Sequence, residues 1–224
     1  MIQTVRGMTR TAVYLEMGTR RVFACAADWP GWCRLGRTEE EALETLAAYL
    51  PRYAPVAELA RVPVPSDAFD VVERLGGKAA YTDYGVPAAV ADGDGRPTRD
   101  EEAARQGALL EAVWARFDQV VRASPAELRK GPRGGGRDRD KMVDHVLGAE
   151  AGYGRKYGVK FKQPAVDDRT AIEAARAAQL DVLARPSDGT PPVPRGWPIR
   201  YAIRRIAWHA LDHAWEMEDR STTR

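Results

Sequence analysis

The chain has 224 residues, of which 44% are hydrophobic and 29% charged, a composition that supports a packed core and excludes wholesale disorder. Acids and bases are interspersed and the formal net charge is +2, so bulk charge gives no case for a nucleic-acid binder. No apolar run approaches the ~20 residues of a membrane span, and the opening MIQTVRGMTR lacks the apolar centre of a signal peptide, so a cytoplasmic protein without membrane contact is expected.

Residues 11–17 (TAVYLEM) and 20–28 (RRVFACAAD) are rich in β-branched and aromatic residues, with Gly18 and Thr19 between them, which predicts a β-hairpin. WPGW at 29–32 breaks the second strand, and CRLGR at 33–37 predicts a third short one. Thr38 and Glu41 have capping-box spacing, and a helix is predicted over TEEEALETLAAYLPRY. Its apolar stripe is Ala42, Leu43, Leu46, Ala47 and Leu50, and Pro51 and Pro55 weaken its far end. Cys25 and Cys33 do not make a disulfide framework; neighbouring strands would allow a bridge, but two buried free thiols are expected. FDVVERL (69–75) predicts a last strand of the small sheet. The Pro- and Gly-rich stretch up to residue 97 is long for a structureless loop and is expected to pack across the interface between the two halves of the chain.

After residue 97 the pattern turns helical. Thr98 is the predicted cap of a helix reaching Ser124, with Leu109, Val113, Phe117, Val120 and Val121 as its buried stripe. Further helices are predicted over 140–158, 167–185 and 197–220. Four helices of this length joined by loops describe an up-and-down bundle. The expected fold is therefore a small α+β domain over 1–75, a linker over 76–97 and an all-α four-helix bundle over 98–224. The basic stretch Arg129–Lys141 lacks Walker spacing, and no strand precedes it, so it is no P-loop. Gly134, Gly135 and Gly136 would let backbone approach an anion, but a solvated loop is expected there.

The sequence has only three histidines. His209 and His213 are four residues apart on the last predicted helix, so they lie on one face, one turn apart, where two imidazoles can point at a common metal. His145 lies in the middle of the helix predicted over 140–158. All three fall at the edge of a predicted core stripe, which suits an open metal site held by packed helices. Glu216 and Arg205 are the candidate catalytic residues beside it. Glu216 shares the face of His209 and His213; it would orient an imidazole or complete the shell, unless it is a solvated helix end. Arg205, one turn before His209, would hold a substrate carboxylate, unless it is a surface arginine.

His145 within DKMVDHVLGAEAGY, followed by WHALDHAWEMED in the last helix, resembles the DinB-like superfamily over roughly residues 98–220. The resemblance implies a four-helix bundle that binds a divalent metal through one histidine of its second helix and an H-x-x-x-H pair of its last, here His145, His209 and His213. It also implies a metal-dependent enzyme, a thiol-dependent transferase or isomerase or a hydrolase, acting on a small molecule, with a low-molecular-weight thiol and a homodimer as further expectations. Zinc, nickel and ferrous iron all suit imidazole ligands.

VFACAADWPGWCRLGRTEEEALETLAAYL resembles HicB-like antitoxin domains, through Pro30, Gly31, Gly36, Thr38, Glu41, Ala42 and Leu43. This resemblance, over about residues 11–51, implies a small sheet with one packed helix. No DNA-binding pattern follows it. Its expected role is a substrate-covering or dimerising sheet. The alternative to an enzyme is a non-catalytic metal-binding or HicB-like protein-interaction module, antitoxin-like in the extreme case.

Overall fold

The computed structural model describes residues 10–131 and 135–221. Strands β1 (Thr11–Met17), β2 (Val22–Ala26), β3 (Cys33–Gly36) and β4 (Phe69–Gly76) form one mixed sheet in the order β3–β2–β1–β4. β1, β2 and β3 are antiparallel neighbours, as the turn signals predict, whereas β4 pairs with β1 in parallel. A parallel partner needs a crossover, and two helices, α1 (Glu39–Ala48) and α2 (Leu50–Leu59), lie in that connection.

These two helices replace the single one predicted. Thr38 caps α1 by accepting from the Glu41 N–H at 3.2 Å, while the Glu41 carboxylate accepts from the Arg37 N–H. Tyr49 then separates α1 from α2. Pro51 has no N–H to extend the ladder of α1, but in the first turn of α2 that N–H would be unpaired anyway. Pro51 thus divides the helix rather than fraying it, and Pro55 lies within α2.

Cys25 and Cys33 lie directly opposite each other on β2 and β3, with Cα atoms 4.1 Å apart, and are joined as a disulfide. This corrects the expectation of two free thiols: directly opposed residues on paired strands point to the same face of the sheet.

The stretch between β4 and the long helices holds a short helix, α3 (Ala79–Thr82), and a single 3-10 turn, Asp92–Gly95. It is pinned at several points, as its length suggests. The buried Glu16 carboxylate on β1 accepts from the Thr82 hydroxyl at 2.6 Å and from the N–H groups of Ala88 and Ala89. Asp83 accepts from the N–H groups of Thr19, Arg20 and Arg21 in the β1–β2 turn.

Four long helices follow: α4 (Asp100–Ala123), α5 (Arg139–Gly154), α6 (Arg169–Leu183) and α7 (Ile199–Ser221). Thr98 does not cap α4. Its backbone N–H and C=O are both paired with Ser187, and Arg99 precedes the helix without a side-chain cap. Asp168 caps α6 by accepting from the Ala171 N–H at 2.9 Å. α7 packs on α4, α5 and α6, α4 also touches α6, and α2 packs on α4. One buried apolar cluster runs from Val13 and Leu15 in the sheet through Trp32, Leu46 and Tyr53 to Phe117, Met142, Ile206 and Met217.

The contact between the sheet and α7 depends on a glycine. Gly31, between β2 and β3, has φ +89°, and a Cβ there would meet the Leu211 side chain at 2.6 Å and the Ala207 carbonyl at 3.0 Å. Ala207 and Leu211 flank His209, so this turn braces α7 at the level of the histidines.

Candidate metal centre

His209 and His213 project from α7 and His145 from α5, the helix packed beside it. One ring nitrogen from each histidine lies within 4.8 Å of the others. Ring centroids are 5.0 Å apart for His145–His209 and His145–His213, and 4.7 Å for His209–His213. The Nε2 atoms of His145 and His209 face each other at 3.2 Å. Either one nitrogen carries a proton for the other, or two lone pairs meet, an arrangement that a cation between them relieves.

Burial keeps two of these rings neutral. His209 is 8% exposed, and its pKa is pushed down to about 2, first by burial and then by the charges of His213, His145 and Arg205. Burial also lowers His145, helped by Arg137 and His213. Neutral imidazole is the form that ligates a metal.

Glu216 stands behind His213 rather than in the cluster. Its Oε2 is 3.0 Å from His213 Nδ1, and Arg220 donates to its other oxygen at 2.8 Å. The His213 contact, with Arg220 in support, lowers the carboxyl's pKa, so it stays ionised and accepts a hydrogen bond from Nδ1–H. That leaves Nε2 of His213 as the free donor, the arrangement by which carboxylates orient metal-binding imidazoles. Arg220 is held in turn by the Arg129 carbonyl at 2.7 Å. Gly136, at φ +117°, runs against the Arg220 guanidinium, where a Cβ would come within 2.7 Å of it. This part of the basic loop supports the site; Gly134 lies outside the described residues.

Arg205 is one turn before His209. Its Nη1 donates to the Pro87 carbonyl at 2.9 Å, and its guanidinium lies over the rings of Trp208, at 4.7 Å, and Tyr153, at 5.6 Å. Tyr153 meets the His209 ring edge-on at 5.9 Å. Neither aromatic was singled out in the sequence for the site, although Trp208 and Tyr153 sit three and eight residues along their helices from Arg205 and His145. Arg204 faces away, donating to the buried Asp94 carboxylate and the Tyr14 hydroxyl.

Two open clefts lie elsewhere. Clefts of about 1120 Å³ and 460 Å³ share Ala12, Asp28, Arg96 and Arg200, and none of the three histidines lines them. Volume and chemistry therefore point to different places, and the convergent donor set identifies the candidate centre. No protein-family model, curated protein or solved structure matches the chain.

The residues present fit a divalent cation. Three nitrogen donors converge, two of them are held neutral by burial, and a carboxylate orients the third. Among the described residues no fourth His, Cys, Asp or Glu joins the group.

Proposed function

We propose that α4–α7 form an up-and-down four-helix bundle of the DinB-like kind, and that His145, His209 and His213 hold one divalent metal, zinc, nickel or ferrous iron, at the centre of a metal-dependent enzyme. The observation that carries this reading is the convergence of three imidazoles without a fourth protein donor among the described residues. Catalytic sites keep such a position open, whereas structural zinc sites are closed by four protein ligands. His145, His209 and His213 would hold the metal, which would supply a lowered pKa for a thiol or water in the open position and so a nucleophile at neutral pH.

The chain's own residues prepare for that chemistry. Burial keeps His209 neutral. Glu216 fixes the Nδ1 proton of His213 and so aims its Nε2 lone pair into the cluster. The β2–β3 turn braces α7 through Gly31, which gives the HicB-like sheet a supporting role. Thiol-dependent transfer or isomerisation of a small molecule, with hydrolysis by bound water as the related outcome, is the reaction class that the DinB-like resemblance adds. Cobalt(II)-loaded protein titrated with 2-mercaptoethanol tests the open position. A thiolate-to-cobalt absorption band is expected; a spectrum unchanged at saturating thiol would leave a closed site and remove the basis for thiol chemistry.

A further inference from the structure

The arginines around α7 are mostly neutralised by carboxylates. Arg34 pairs with Asp212, Arg52 and Arg116 with Glu218, Arg204 with Asp94 and Arg220 with Glu216. Arg205 is half-buried on the same helix, yet among the described residues no carboxylate pairs with it. What holds it is neutral: the Pro87 carbonyl and the faces of Trp208 and Tyr153. A guanidinium withdrawn from water without a counter-charge is costly. Aromatic faces and one carbonyl offset part of that cost and hold the fork in place. Nε and Nη2 remain to donate, and neither is among the atoms buried without a partner.

Its location matters as much as its charge. Tyr153 touches both the Arg205 guanidinium and the His209 ring, so the free cation and the metal-binding group share one wall. The segment carrying Pro87 belongs to the connection from the sheet, and Tyr201 of α7 donates to the neighbouring Ala88 carbonyl at 3.1 Å. The N-terminal half thereby contributes to positioning Arg205.

We infer that Arg205 anchors the carboxylate of the small molecule that binds at the histidine centre, so that the site selects carboxylates over neutral compounds bearing the same metal-binding group. The inference rests on the metal reading above and adds the ligand class. The guanidinium fork matches a carboxylate in a two-point, charge-assisted hydrogen bond.

The test uses the full chain loaded with cobalt(II), with metal content measured before each titration. Two probes share one metal-binding group: acetohydroxamate, which is neutral, and the monohydroxamate of succinic acid, which carries a carboxylate tail. The native protein is expected to bind the tailed compound about tenfold more tightly, from the shift of the cobalt spectrum. Arg205→Gln is expected to bind the two equally, and Arg205→Lys to keep part of the preference, with melting curves confirming that both variants fold. Equal binding by the native protein overturns the inference, and so does a preference that survives in Arg205→Gln. The latter would leave Arg205 as a clamp on Pro87 alone. If neither probe shifts the spectrum, there is no exchangeable position and no anchored ligand. A chain that retains no cobalt is a different failure, because it removes the metal reading itself.

Discussion

Glu216 sets the tautomer of His213. Its ionised carboxylate, held by Arg220, accepts a hydrogen bond from His213 Nδ1–H at an N···O distance of 3.0 Å and leaves Nε2 to the cluster. Glu216→Gln keeps the shape of the side chain but removes the charge and allows the amide to turn its N–H₂ toward the ring. The expected effect is a 10–100-fold loss of metal affinity with the fold intact, the usual size for a carboxylate behind a ligating imidazole. Competition with a chromophoric chelator measures it; unchanged affinity would show that Glu216 is only a partner of Arg220. The face shared by His209, His213 and Glu216 follows from helical spacing alone, and so was legible in the sequence. The setting of Arg205 was not, because its hydrogen-bond partner Pro87 is 118 residues away and Tyr153 stands on another helix.

At the scale of elements, periodicity and capping gave β1, β4 and the long helices nearly in place, and their ends depended on contacts that sequence patterns do not carry. Thr98 has the residue type of a cap but is drawn into a bridge with Ser187. The helix predicted across Pro51 divides because the pyrrolidine nitrogen cannot donate back to α1. The disulfide needed the β2–β3 register, which the spacing of Cys25 and Cys33 permits without dictating. Gly31 joins two elements and gives the clearest test at this scale. Gly31→Ala places a methyl group against Leu211 and the Ala207 carbonyl at a positive φ. It should destabilise the protein by about 1–3 kcal/mol, seen as a lower denaturant midpoint with an unchanged m-value. A midpoint equal to that of the native protein would mean that the turn does not bear on α7.

For the whole molecule, the buried cluster that runs from Val13 to Met217 makes sheet and helices share one core, a continuity that reading each segment separately does not reveal. The same holds for the buried polar group among the helices. Arg176 on α6 donates to both carboxylate oxygens of Asp118 on α4 at 3.0 Å, and lies 3.7 Å from Glu150 on α5, whose pKa burial raises. Each of these residues reads in the sequence as one more surface charge, and only packing turns them inward. The histidines escaped this difficulty because there are only three and all lie on helices. The measurement that bears most directly on the account is the metal content of the purified protein, by mass spectrometry, beside a variant with His209→Ala and His213→Ala. The account predicts about one equivalent of zinc, nickel or iron in the native chain and none in a variant that still folds. A native chain that takes up none of these ions, even when each is added back, would contradict it.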